Sequence, residues 1–263
     1  QICRNPNVRI MWVGGNEDIA KNAVGSVLDH LDSNDKLIEE FCGPGQTFRP
    51  KSRSGKNWSQ TAFSVATRNV TGIKSPTMVA VGKGGKILSR DCDLIIADDI
   101  EDFGSTAQPS GRAATKRWWT TTLSSRVEAH TAVVVIGSRQ HSDDLYNSLL
   151  DNNAWDNIVE QAHSDDCEIP EQDFDEHIDC MLWKGKRDYK WLNTQKEASA
   201  TTGGVHVFEM VYLNRANPVG TTIFNPEVIT KCFDDTVDIG EVKESAYLVA
   251  GLDPAATGYQ AGF

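Results

Sequence analysis

The residues best placed for chemistry are two adjacent carboxylates, Asp98 and Asp99, which follow the apolar run Leu94-Ile95-Ile96-Ala97. Four apolar residues in a row suit a buried strand of a parallel sheet, and ligands of open α/β sheets bind at the C-terminal ends of such strands. One carboxylate there can hold Mg²⁺ while its neighbour orients an attacking water, the Walker B arrangement of nucleotide hydrolases. A core strand ending in an acidic turn has the same pattern. Glu101 and Asp102 extend the acidic stretch.

A second constellation closes the run Ala132-Val133-Val134-Val135-Ile136, which reads as the most strongly buried strand of the chain. It ends in Gly137-Ser138-Arg139-Gln140-His141. A hydroxyl and a guanidinium at a strand's C-terminal edge can sense a γ-phosphate; a loop with a solvated Arg is the plainer alternative. Arg90, eight residues before Asp98, is either a finger reaching a neighbour's phosphate or a surface charge. His141 beside Asp143 and Asp144 suggests a hydrogen-bonded structural histidine more than a metal ligand. Near the end, Ala246 to Leu252 reads as a strand closed by Asp253-Pro254, either an ordinary turn or the first carboxylate of a two-metal nuclease.

Two Gly/Lys stretches fail as phosphate-cradling loops. Gly82-Lys83-Gly84-Gly85-Lys86 lacks the GxxxxGK[ST] spacing and is followed by Ile87. Ser54-Gly55-Lys56 is followed by Asn57 and has Pro50 where the first Gly belongs.

The elements that must position these residues alternate between strand and helix patterns, which predicts an α/β fold with a mostly parallel sheet. Val8 to Val13 reads as a strand closed by Gly14-Gly15. Asn16 can cap a helix carrying Ile19, Ala23, Val27, Leu28 and Leu31. Phe63 to Ala66 and Met78 to Val81 read as short strands, and Gly82 to Lys86 as a hairpin turn to Ile87-Leu88. A helix is expected within Gly111 to Val127, a second capped by Ser142 through Leu150, and a third from Trp183 to Ala200. Tyr212 to Phe224 reads as irregular. The boundaries fall at 1–168 for an α/β core, 169–244 for a small helical and irregular linker, and 245–263 for the start of another domain.

The 263 residues carry a net charge of −11, which argues against a protein that coats nucleic acid over its whole surface. The charge is uneven: no Lys or Arg lies between Gln140 and Trp183, whereas Arg49, Lys51, Arg53 and Lys56 cluster. The latter group suits a solvated loop, with phosphate contact as the alternative. No apolar run is long enough for a membrane span and no signal peptide is evident. The six cysteines form no CxxC pair, so neither a zinc site nor a disulfide framework is expected, and reduced thiols in a cytoplasm fit.

Taken in order, these motifs resemble the large terminase subunit of tailed bacteriophages. The likeness rests on Val8 to Val13 with its helix, Asn57-Trp58, Ser75-Pro76-Thr77, Arg90 to Asp99, and Trp118 with Arg126. It continues through Ile136 to His141 leading to Asp143-Asp144-Leu145, then Tyr212-Leu213-Asn214 and Gly251 to Ala255. The resemblance implies a P-loop-type ATPase sheet whose first strand and Walker A loop would precede Gln1, then a lid or linker. An RNase H-like nuclease follows, and most of it would lie beyond Phe263. It implies Asp98 as the Mg²⁺ ligand of ATP and Asp99 as the catalytic carboxylate, where the family more often has Glu. Ser138 and Arg139 would couple hydrolysis to movement, Arg90 would lie near a trans-acting Arg, and Asp253 would be the first nuclease ligand for Mg²⁺ or Mn²⁺.

The partners it implies are double-stranded DNA, a portal protein, a small terminase subunit and further copies in a homo-oligomeric ring. The site of action would be the host cytoplasm, not the mature virion. The chain would then be an internal fragment, inactive by itself. A helicase-like or remodelling DNA ATPase, or a non-catalytic interaction domain, are the alternatives.

Overall fold

Strand β1 (Ile10–Gly14) alternates its side chains between two apolar layers, as a strand buried on both faces must. The computed structural model describes residues 1–51, 57–85, 87, 91–202 and 204–216, all within one compact unit, Gln1–Pro218. The expected strand at 246–253, with Asp253, and the 245–263 segment lie outside the described residues, as does Arg90.

The five strands run in the order β2-β3-β1-β4-β5, with β2 at Ala62–Phe63, β3 at Met78–Gly82, β4 at Leu94–Asp98 and β5 at Ala132–Ile136. All neighbours are parallel except β2, which pairs antiparallel to β3. The parallel α/β sheet is thus as expected. Ile10, Met78 and Ala80 pack on one face with Val24, Leu28 and Leu31 of helix α1 (Glu17–Ser33). Met11, Val13, Val79, Val81, Ile95 and Ala97 form the other face with Trp119, Leu123 and Tyr146. Burying each large side chain here stabilises by roughly 1.5–3 kcal/mol.

Asn16 caps α1 by accepting from the Ile19 amide, as its position predicts. The buried face of α1 falls on Ala20, Val24, Leu28 and Leu31, leaving Ile19 exposed. Helix α2 (Asp35–Phe41) follows at once, capped by Asn34. Helices α3 (Phe103–Ala107) and α4 (Pro109–Trp118) come after β4. The helix expected to reach Val127 widens into a π turn at Trp119–Leu123, which buries both of those residues, and then tightens into a 3₁₀ turn at Ser124–Arg126.

Four expectations are corrected. Strand β5 is not the most buried strand: among the described residues it pairs only with β4, and Val134 and Ile136 are 44% and 50% exposed. Its all-apolar sequence suits a central strand, but its position is an edge. The strand read at Phe63 to Ala66 reduces to Ala62–Phe63, since the Val65 amide donates to the Thr77 hydroxyl instead of a ladder. Gly82 to Gly85 do close a turn, yet Ile87 joins no strand; it is buried in the core. Helix α5 (Leu145–Leu150) is capped by Asp144, not Ser142, because the Asp144 carboxylate accepts from the Asn147, Gln140 and His141 amides together.

A third, smaller core joins Met181 and α6 (Tyr189–Thr202) to α7 (Val205–Leu213) through Tyr189, Leu192 and Phe208. Ala162 packs against it, so the packing links residues on both sides of the boundary drawn at 168. No helix among the described residues is long and apolar enough to cross a membrane.

Candidate functional site

The chain leaves β1 through α1 toward β3, and leaves β4 through α3 and α4 toward β5. The two connections depart in opposite directions from adjacent strands, so a crevice opens between them at the C-terminal edge, the switch point where α/β sheets place ligands. The register puts Gly14 opposite Asp98, and Asp98 opposite Ile136. A cavity of about 350 Å³ lies there, lined on one side by Gly15, Asn16 and Ile19 and on the other by Asp99, Glu101 and Ser138. Asp99 and Ser138, thirty-nine residues apart in the sequence, are therefore brought to one cavity.

The backbone at this edge is held in an unusual state. Asp99 has φ of 45°, a left-handed conformation that non-glycine residues adopt at a cost. Its amide donates to the Ile136 carbonyl at 3.0 Å, which ties the acidic turn to the end of β5. Gly15 makes the close approach possible: a Cβ there would lie 2.5 Å from the Asp99 carbonyl oxygen. Only a residue without a side chain lets the exit of β1 touch the exit of β4.

The electrostatics follow from burial. Desolvation, and then the neighbouring charge of Asp99, push the Asp98 carboxyl above its ordinary pKa. Burial also raises Glu101, against a lowering hydrogen bond from the Leu145 amide at 2.7 Å. Glu101 is 4% exposed, and its Oε1 is buried without a hydrogen-bond partner. It faces the start of α5 and so is a positioning residue more than a second base. The Tyr146 hydroxyl, driven well above its usual pKa first by burial, accepts from the Glu101 amide and fills the space beside Gly137.

Among the described residues, no Lys or Arg lines the cavity. The unmatched cation nearby in the field is Lys83, whose ammonium is buried without a hydrogen-bond partner and whose charge acts on Glu101. Its signal in the sequence was the Gly82-Lys83 pair closing β3, which a search for a complete P-loop discards.

Arg139 turns away from the cavity. Its amide donates to the Asn214 side chain at 2.9 Å and its guanidinium to the Asn147 side chain. Asn214 is the left-handed residue that ends α7, so Arg139 ties the loop after β5 to the smaller core. His141 accepts from the Asp143 amide through Nδ1, the structural role expected of it, while the Asp143 carboxylate pairs with Arg112 and Lys116. These carboxylates are already engaged and do not form a metal site with His141.

One cluster escaped the sequence reading. His163, Cys167, His177 and Cys180 each bring a potential metal-ligating atom within 4.8 Å of the others. Cys167 and Cys180 are joined as a disulfide with Cα atoms 5.8 Å apart, which corrects the expectation of six scattered thiols. The H-x₃-C-x₉-H-x₂-C spacing has no CxxC pair to announce it. The four residues meet because His163 forms a β-bridge with Met181, which folds the intervening segment back on itself.

No protein-family model matches this chain, and no curated protein matches it in sequence.

Proposed function

We propose that the chain is part of a DNA-packaging motor of the phage terminase type, in which ATP hydrolysis at the sheet's C-terminal edge drives DNA into a procapsid. The observation that carries this reading is the pair Asp98-Asp99 at the switch-point end of β4, with Asp99 lining one cavity together with Gly15 and Ser138. Asp98 would hold Mg²⁺ on the β- and γ-phosphates, directly or through water. Asp99, exposed and turned into the crevice by its left-handed backbone, would take the proton of the attacking water as it adds in line to the γ-phosphorus. The water's oxygen bonds to phosphorus, the bond to ADP breaks, and the electron pair leaves with ADP.

The phosphate-cradling loop that such a site needs is absent from residues 1–263 by motif. In this reading it sits on a parallel strand added to the apolar edge of β5 that no described strand covers, and Lys83 contributes further positive charge. Loss of the γ-phosphate is felt at Ser138 and passed by Arg139 to Asn214 and the smaller core. Asp253 would start the nuclease that cuts concatemeric DNA, and the portal, the small subunit and further copies in a ring would complete the machine.

The test is ATP turnover by the full-length protein. Asp99→Asn should lower it by about 10²–10⁴-fold while nucleotide binding persists, and Asp98→Asn should weaken Mg²⁺-nucleotide binding as well. Wild-type turnover by Asp99→Asn contradicts the assignment.

A further inference from the structure

We propose that His163, Cys167, His177 and Cys180 are the four ligands of a structural Zn²⁺ site that staples the smaller core. The inference is independent of the nucleotide reading.

The orientation of His177 carries the argument. Its Nε2 lies 3.1 Å from the Pro170 carbonyl oxygen, which can only accept, so Nε2 holds the ring proton. The neutral ring therefore presents a bare lone pair on Nδ1. That nitrogen points at His163 Nε2, 3.0 Å away, and at Cys167 Sγ, 3.5 Å away. A ligating histidine fixed through its other nitrogen by a backbone carbonyl is the usual support of a zinc site. In a tetrahedral site with Zn–N of about 2.0–2.1 Å and Zn–S of about 2.3 Å, ligand atoms lie roughly 3.4–3.8 Å apart. The nitrogen and sulfur contacts at His177 already lie close to that spacing, and the two bonded sulfurs must part to reach it.

The surroundings suit a closed site. His177 is 1% exposed, and the Tyr189 ring stacks on it at 3.6 Å and 11°. Four protein ligands leave no open position for substrate, so the role is structural. The core it supports contains four fully buried apolar residues, Met181, Tyr189, Leu192 and Phe208, too few to hold two helices and an irregular segment unaided.

A disulfide between Cys167 and Cys180 uses the same sulfurs and leaves the two histidines to bond each other, with His177 also on the Pro170 carbonyl. On metal binding the two thiols give up their protons to solvent and Zn²⁺ takes two thiolates and two neutral imidazoles. From the disulfide, a thiol reductant first supplies two electrons and two protons, breaking the S–S bond and ending as its own disulfide; the metal-binding step that follows moves no electrons.

The experiment is metal analysis of the 263-residue chain, reduced with a thiol, loaded with Zn²⁺ and then dialysed against metal-free, reductant-free buffer. The expected result is about one Zn²⁺ per chain, with all six cysteines reacting as thiols once the chain is denatured in chelator. Replacing Zn²⁺ by Co²⁺ should give the visible absorption of a tetrahedral sulfur and nitrogen site. His177→Ala and Cys180→Ser should each lose the metal, while His163→Cys, which supplies a thiolate in place of an imidazole, should keep it. A metal-free wild-type chain with four reactive thiols would establish the disulfide and overturn the proposal. Full zinc retention by both His177→Ala and Cys180→Ser would overturn it too, by placing the metal elsewhere.

Discussion

The two ends of strand β4 carry the same residue in opposite circumstances. Asp93, just before the strand, accepts from the Arg9 amide at 2.7 Å and from the Arg9 guanidinium at 2.6 and 3.1 Å. That pairing holds its carboxyl below the ordinary range. Asp98, five residues on, has no such partner among the described residues; burial and Asp99 push it the other way. At the N-terminal edge charge is matched and the backbone is ordinary. At the C-terminal edge two acids sit together, Asp99 is left-handed, and a Glu101 oxygen is buried unpaired. Local stability has been given up at one end of the sheet and kept at the other, the pattern expected where a site must receive a cation.

Substitutions at the two ends should therefore differ in sign. The largest effect is expected for Asp93→Ala, which leaves the partly buried Arg9 with the exposed Asp91 as its remaining carboxylate partner among the described residues, beside His130. Unfolding in urea should show a loss of about 1–3 kcal/mol. A smaller change of opposite sign is expected for Asp99→Gly, which relieves the left-handed backbone. It should gain about 0.5–1 kcal/mol in the same assay. If Asp99→Gly destabilises the chain, the strain argument fails.

The smallest effect is a difference in pH response. Asp93 has a depressed folded pKa, so its contribution is complete above the unfolded value near 3.8 and is lost as pH falls through the folded one. Asp98 has a raised folded pKa, so its ionisation destabilises the fold at neutral pH. That penalty fades as pH falls through its folded pKa toward 3.8. Asp98→Asn should accordingly be more stable than wild type at pH 7 and lose that advantage on mild acidification, before Asp93 begins to titrate. Denaturation midpoints across pH would reveal the two windows, and a constant difference would remove the contrast.

Much of the sheet was legible because the strands are short apolar runs closed by Gly or Asp, and Asn16 caps α1 with ordinary chemistry. Position within the sheet was not. Val133 to Val135 have the composition of a central strand, and nothing local says that β5 pairs on one side only among the described residues. Helix α7 was missed because Val205, Val207 and Val211 are β-branched and the segment is apolar apart from His206 and Glu209, so it shows no clear helical stripe. The pair Asp98-Asp99 could be read from sequence, since adjacent acids at a strand end need no tertiary information. The links from Asp99 to Gly15 and from Arg139 to Asn214 could not, because they join residues many positions apart. The His/Cys cluster needed the bridge between His163 and Met181 before its spacing meant anything.

The central claim is that the crevice between Gly15 and Ser138 is a nucleotide site. Its most direct test is a structure of the full-length protein with Mg²⁺ and a non-hydrolysable ATP analogue. The account predicts the metal at Asp98, bound at about 2.0–2.1 Å or through one water. The γ-phosphate should lie in the crevice, with Asp99 facing it. A nucleotide bound elsewhere, with Asp98 and Asp99 touching neither metal nor phosphate, would contradict it.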